Sequence, residues 1–429
     1  MKAFEIEGGN PLVGEVQVPG SKNAALAILS SVLLVDGSVT LHNVPELSDT
    51  RIKAELLRRF GAVVEWREGT MFIDCRNIHE SDADEETVRS IRTSFYLLGP
   101  LLARTKRVVL PAPGGCQIGA RPVDFHLKGL ALMGASVSLD GGNYIAECDK
   151  LQGAEIYLDF PSAGATQHLM ATATLANGIT TIQNAATEPE VTALADFLNR
   201  SGARVEGAGS NCITIQGRDA LENSEFRVPS DRCQAATYLL GGVITGGKVT
   251  TTQIDPEHQT ALVSKLREAG AEIEEGPNWI TAGAINRLES IRVKTMPYPG
   301  FPTDYQQPMA AALALAEGVS VIEETIYESR TGHVSELNRM GAKMHPEGRS
   351  VMIEGVQELK GATVKASDLR AGAALVLAGL AASGTTVVKN IQYIDRGYQD
   401  FEQTLSRLGG KIQRVNLPES DLVREESNS

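Results

Sequence analysis

Six Gly-Ala or Gly-Gly pairs mark this chain at near-even spacing, and they constrain its fold more than any other feature. They are Gly61-Ala62, Gly134-Ala135, Gly202-Ala203, Gly270-Ala271, Gly341-Ala342 and Gly409-Gly410, spaced 68 to 73 residues apart. Before each lies an amphipathic segment with Leu or Met near its end, such as Leu130-Ala-Leu-Met133 and Leu337-Asn-Arg-Met340. A Gly just past a helix takes the left-handed conformation that ends it. The residues after each pair alternate like a strand, as in Val63-Val-Glu-Trp66 and Glu272-Ile-Glu274. A period near 70 residues is too long for a stacked solenoid, whose repeats run to roughly 20–50 residues. Compact closed domains built from a few units each are expected instead.

Each unit also begins alike, with a short strand, a small polar residue and then an apolar helix. The starts are Pro19-Gly-Ser-Lys-Asn-Ala-Ala-Leu26, Ile91-Arg-Thr-Ser-Phe95, Phe160-Pro-Ser-Ala-Gly-Ala-Thr166, Val228-Pro-Ser-Asp-Arg232, Phe301-Pro-Thr-Asp-Tyr305 and Ala366-Ser-Asp-Leu-Arg370. Ser, Thr and Asp are good N-caps. A second strand comes after the first helix, as at Ser38–Leu41 and Val319–Ile322. One unit therefore reads strand, helix, strand, helix, strand, with room for one strand more. Helix starts also bind anions, and several here carry a cation: Lys22, Arg92, Arg232 and Arg370. Capping and ligand binding are both open for these residues, and for Asp231, Asp304 and Asp368.

The 429 residues allow two or three domains, and a net charge of −13 argues against a general nucleic-acid binder. The five cysteines, Cys75, Cys116, Cys148, Cys212 and Cys233, are odd in number and widely spaced. That fits neither a disulfide framework nor a zinc site and points to a reducing, cytoplasmic setting. His126, His168 and His333 lack metal-like spacing, so no metal is expected. The amino terminus has no long apolar run and the most apolar stretch, residues 371–382, is too short to span a bilayer. No membrane association is expected, and no obligate protein partner is evident. From about residue 417 the chain reads as a solvated tail.

One loop stands apart. Pro111-Ala-Pro-Gly-Gly-Cys-Gln-Ile-Gly-Ala-Arg-Pro-Val-Asp-Phe-His126 holds a single thiol, Cys116, among three glycines and three prolines. Such a loop is neither a helix interior nor a central strand. Arg121, five residues on, would favour thiolate, the reactive form. A nucleophilic or proton-donating Cys facing an anionic substrate is one reading; a buried, inert thiol is the other.

Four motifs together, Gly20-Ser-Lys-Asn-Ala-Ala-Leu26, Pro113-Gly-Gly-Cys-Gln-Ile-Gly-Ala-Arg-Pro-Val-Asp124, Phe301-Pro-Thr-Asp304 and Asp395-Arg-Gly-Tyr398, closely resemble the UDP-N-acetylglucosamine 1-carboxyvinyltransferases. These are enolpyruvyl transferases of peptidoglycan synthesis, and the resemblance spans nearly the whole chain. It implies a mixed α/β fold of two domains, each an inside-out α/β barrel of three βαβαβ-type units. One domain would be residues 22–229, the other residues 1–21 with 230–429. The site would lie in the cleft between them, with the Cys116 loop as lid. The implied reaction moves the enolpyruvyl group of phosphoenolpyruvate to the 3′-hydroxyl of UDP-N-acetylglucosamine and releases phosphate, without metal or organic cofactor.

By the same resemblance Cys116 is the proton donor, able to form a covalent phosphoenolpyruvate adduct, and Asp304 is the base or the ligand of the sugar hydroxyl. Lys22, Arg121 and Arg396 hold phosphoenolpyruvate, and Asn23 belongs with them. Arg92, the run Arg121, Pro122, Val123, Asp124 and Phe125, and Ile326 contact the nucleotide sugar. Asp368 and Arg370 support the site. The chain departs from the family at Tyr327-Glu-Ser-Arg-Thr331, where Phe-Glu-Asn-Arg-Phe is common, and at Phe160, where some members have Lys. A second paralogue would fit these departures. Two rival readings are a 3-phosphoshikimate 1-carboxyvinyltransferase and a non-catalytic paralogue that binds the nucleotide sugar.

Overall fold

A computed structural model describes residues 2–79, 85–112 and 123–417. Cys116, Arg121 and Pro122, and the tail beyond Leu417, lie outside the described residues. The described chain divides into two units. Unit 1 holds residues 2–18 and 231–417; unit 2 holds residues 19–79, 85–112 and 123–230.

Unit 1 is built around three apolar helices, Arg232–Ile244, Thr303–Leu313 and Leu369–Ala381. Every residue of the first is buried, as are nearly all of the other two, and the three touch one another. A helix apolar all round belongs inside a fold. Three four-stranded sheets pack against these helices, one for each repeat. In each sheet a central strand has a parallel neighbour on one side and an antiparallel pair of strands on the other. In one of them Val319–Glu323 lies between Arg292–Lys294 and the hairpin Lys343–Glu347 with Ser350–Glu354. The repeat is therefore strand, helix, strand, helix, strand, strand, one strand beyond the βαβαβ pattern. Strand residues alternate buried and exposed, with Ile322 in and Val319 out.

The first residues of the chain complete sheets made from its far end. Lys2–Glu7 lies between Thr385–Lys389 and Lys411–Asn416, filling the last hairpin position. Val13–Gln17 is the parallel neighbour of Lys248–Thr252. Unit 2 closes in the same way, with Ser224–Arg227 parallel to Ser38–His42. Its apolar helices are Lys22–Ser31, Leu98–Thr105 and Ala163–Ala173. Both units are inside-out barrels, with helices at the centre and sheets outside.

The six glycines do what their spacing suggests. Gly61, Gly134, Gly202, Gly270, Gly341 and Gly409 have φ of 95°, 89°, 91°, 84°, 92° and 97°. Each N–H turns back to the carbonyl three residues earlier, and the next N–H reaches the carbonyl five earlier, as at Gly202 to Asn199 and Ala203 to Leu198. This is the Schellman motif, in which the residue after Gly packs on the one whose carbonyl it caps. That capped residue is a buried leucine in all six copies: Leu57, Leu130, Leu198, Leu266, Leu337 and Leu405. The repeated Leu-to-Gly spacing in the sequence is thus the signature of one C-cap used six times.

The start at Ile91 differs from expectation. Arg92–Leu97 is a 3-10 turn, and the α-helix begins only at Leu98. Gly99 gives its N–H to His168 Nε2 at 2.9 Å and Pro100 has none to give. The carbonyls of Phe95 and Tyr96 therefore lack α-helical donors, and the turn tightens.

Candidate active site

In unit 1 the candidate residues gather at the starts of the apolar helices. Asp231 and Asp368 are N-caps: Asp231 accepts from the N–H of Cys233 and Gln234, Asp368 from that of Arg370 and Ala371. Asp304 is not. The cap position before it is Pro302, whose ring offers no acceptor, so the Asp304 side chain is released from capping. It is 28% exposed and held by two buried guanidiniums. Arg330 Nη1 donates to Oδ1 at 2.9 Å; Arg370 Nη2 and Nε donate to Oδ2 at 3.1 and 3.3 Å. Cys233 Sγ lies 3.8 Å from the same Oδ2. Burial pushes the Cys233 thiol well above the usual range, so it stays protonated beside the carboxylate.

Arg370 also donates from Nη1 to the Tyr398 hydroxyl at 3.0 Å, which meets Thr237 Oγ1 at 2.9 Å. One guanidinium therefore ties together all three apolar helices and the turn that ends at Gly397. Removing a buried ion-pair partner strands the other groups. Arg370→Met is expected to cost unit 1 about 3–5 kcal/mol, read as a lower urea midpoint at unchanged m-value.

Ile326 is placed by a carboxylate that its sequence pattern does not single out. Buried Glu324 accepts the N–H of Ile326 at 2.8 Å and of Tyr327 at 3.1 Å through Oε1. Its Oε2 accepts Thr303 Oγ1 at 2.8 Å, and that hydroxyl accepts Arg330 Nη1 at 2.9 Å. Asp304, Arg370, Asp368 and Ile326 are thus brought into one hydrogen-bonded group, with Asp368 joined by accepting the Arg370 N–H at 2.9 Å. Arg396 is half-buried at the end of the Ile391–Arg396 turn, next to Asp395, which is paired with Arg414. His333, buried nearby, is pushed down to about 4 by burial. A neutral buried His binds its proton only on unfolding, so stability falls as pH drops from 6.5 towards 4. Moving from pH 7 to pH 5 is expected to cost ~2 kcal/mol from this residue, read as a lower urea midpoint that His333→Leu makes less pH-dependent.

In unit 2, Lys22 opens the helix Lys22–Ser31 behind Ser21, whose hydroxyl accepts the N–H of Ala24. Its ammonium is buried and pairs with Asp49 Oδ2 at 2.8 Å. Asn23 beside it is exposed. Lys53, one turn beyond Asp49, is wholly buried; Nζ donates to Ser30 Oγ at 2.9 Å and to the Thr93 carbonyl at 2.6 Å. That carbonyl belongs to the turn that carries Arg92, whose side chain lies outside the described residues. Val123 precedes the helix Asp124–Leu132; Asp124 is exposed and Phe125 packs on the core.

His126 is next along this helix, buried, with Nδ1 3.1 Å from Nδ1 of His168. His168 Nε2 accepts the Gly99 N–H, so its proton sits on Nδ1 and is donated to His126. Burial, then the charges of His126 and Lys53, hold His168 well below the ordinary imidazole range. Arg330, Glu324, Cys233, Asp49 and Lys53 were not legible as site residues. Arg330, inside the departing stretch Tyr327–Thr331, carried the one signal that could have found it.

A family profile described as EPSP synthase (3-phosphoshikimate 1-carboxyvinyltransferase) matches residues 6–405. The chain is 49% identical to UDP-N-acetylglucosamine 1-carboxyvinyltransferase 2 of Carboxydothermus hydrogenoformans, over 97% of this chain and 100% of that protein. It is 48% identical to the UDP-N-acetylglucosamine 1-carboxyvinyltransferase of Desulfatibacillum aliphaticivorans, over 97% and 100% of the two chains. Among solved structures it superposes on the enolpyruvyl transferase NikO from Streptomyces tendae with a TM-score of 0.88, at 25% identity, over 97% of this chain and 99% of that one. Matches that take in nearly the full length on both sides place the chain in the EPSP synthase family of enolpyruvyl transferases.

Proposed function

We propose that this enzyme transfers the enolpyruvyl group of phosphoenolpyruvate to the 3′-hydroxyl of UDP-N-acetylglucosamine and releases phosphate, the committing step of peptidoglycan synthesis. The observation that carries the reading is 45–49% identity, over nearly full length, to relatives that bear this activity in their names. The sugar hydroxyl adds to C2 of the enol while a proton is delivered to the methylene carbon, which becomes a methyl group; phosphate then leaves as a base takes one proton back from that methyl and the double bond re-forms. Cys116 is the proton donor to carbon, and Asp304 takes or holds the hydroxyl proton. Lys22, Arg121 and Arg396, with Asn23, bind the phosphate and carboxylate and neutralise charge as phosphate departs. Arg92, Val123, Asp124, Phe125 and Ile326 contact the nucleotide sugar, with Pro122 in the same run. Asp368 and Arg370 support the site: Arg370 donates to Asp304, and Asp368 caps the helix that carries Arg370.

No helix among the described residues is long and apolar enough to cross a membrane, and Cys75, Cys148, Cys212 and Cys233 are free thiols. Both suit a cytoplasmic enzyme acting on small soluble substrates. The test is phosphate release from phosphoenolpyruvate with UDP-N-acetylglucosamine or shikimate 3-phosphate as acceptor. Turnover with the nucleotide sugar alone is expected. Turnover with shikimate 3-phosphate alone would move the enzyme to the sister reaction, and tight sugar binding without turnover would make it a binding protein.

A further inference from the structure

We infer that Lys53 is a positioning residue for phosphoenolpyruvate: through the carboxylate of Asp49, its charge sets how strongly Lys22 holds that anion. The inference rests on the proposed role of Lys22 in binding phosphoenolpyruvate. Lysine is almost never fully buried without an ionic partner. Lys53 is buried, yet among the described residues its ammonium hydrogen-bonds only neutral oxygens, the Ser30 hydroxyl and the Thr93 carbonyl. The carboxylate that acts on it, Asp49, sits one turn away on the same helix face and is already paired with Lys22. Two ammoniums therefore draw on one carboxylate. As a plain core residue Lys53 would be out of place, since an apolar side chain would fill its space without the burial cost of a charge.

Burial lowers Lys53 to about 7, against the opposing pull of Asp49. Three other groups face it. Ser30 comes from the helix Lys22–Ser31, the Thr93 carbonyl from the Arg92–Leu97 turn, and His168 from the helix Ala163–Ala173, with His126 behind; Lys22 pairs with Asp49. His168 is neutral, so among the described residues the charged groups of the cluster are Lys22, Asp49 and Lys53. Below pH 7 they sum to one positive charge, above it to none. In a buried setting a unit charge acts strongly on an incoming anion. Phosphoenolpyruvate is therefore held more tightly on the acid side of neutrality than on the alkaline side.

The experiment is steady-state phosphate release by wild type and Lys53→Met at about pH 6 and about pH 8.5. Taking the ratio of variant to wild type cancels ionisations common to both, including that of phosphoenolpyruvate. The variant's KM for phosphoenolpyruvate is expected about tenfold above wild type at the lower pH and within about twofold at the higher. The KM for UDP-N-acetylglucosamine should stay within about twofold. A KM ratio equal at the two pH values overturns the inference and leaves the assigned reaction standing. A wild type that releases no phosphate overturns both. Should Lys53→Met fail to fold, Asp49→Asn serves instead. Removing the carboxylate removes the pull that favours the Lys53 charge, so this variant's phosphoenolpyruvate KM, again taken as a ratio to wild type, should differ between the two pH values; a ratio equal at both overturns the inference.

Discussion

Cys116→Ala is expected to lower kcat by about three orders of magnitude or more at neutral pH, while UDP-N-acetylglucosamine binds within about twofold of wild type. The reaction needs an acid that protonates a carbon, and alanine offers no proton. The residues assigned to the nucleotide sugar are untouched by the change. Two buried thiols offer no substitute. Cys233 stands beside Asp304, but burial pushes its thiol well above the usual range, and burial pushes Cys75 up to about 12. A thiol that holds its proton so tightly is a poor proton donor as well as a poor nucleophile. The same reasoning covers inactivation by the epoxide fosfomycin. Wild type should gain one adduct under saturating nucleotide sugar, and Cys116→Ala none. Exposed Cys212 gives an internal control, since a general alkylating reagent should still label it in the variant. An adduct on Cys233 in the variant, or none on wild type, would contradict the assignment of Cys116.

Asp304→Asn should lower kcat by about 10²–10⁴-fold with both KM values within a few-fold. Asparagine keeps the volume and one acceptor oxygen but cannot take a proton. If Asp304 only bound the sugar hydroxyl, KM would rise while kcat held. The geometry adds a second consequence. Arg330 and Arg370 address different oxygens of this carboxylate, so the amide must turn its NH2 towards one of them. A donor then faces a donor, and the urea midpoint should fall as well. Arg370→Met separates the two effects, because it loosens Asp304 and leaves its carboxylate in place.

The repeat was legible because it is local. A Schellman cap needs Gly at one position and an apolar residue four before it, and both lie in one short stretch of chain. The capping roles of Ser21, Ser162, Asp231 and Asp368 were equally local, and each makes its cap bond. Asp304 could be a cap or a functional acid by sequence alone. Its release from capping comes from Pro302 taking the cap position. What could not be read were partnerships between repeats. Arg370 and Cys233 come from the two other repeats of unit 1, and Arg330 from further along Asp304's own, to reach one carboxylate. Asp49 and Lys53 look in sequence like the polar residues of an amphipathic helix. Only the packing of that helix against Lys22–Ser31 buries them and makes Asp49 the partner of Lys22. The 3-10 turn at Arg92 was hidden for the same reason, because His168 takes the Gly99 N–H from another helix.

The most direct test is the identity of the product. Purified enzyme with phosphoenolpyruvate and UDP-N-acetylglucosamine should release phosphate in step with a new nucleotide sugar, whose NMR spectrum shows an enol ether on the 3′ oxygen. A spectrum with the sugar unchanged, while phosphate is released onto shikimate 3-phosphate or onto water, would contradict the account.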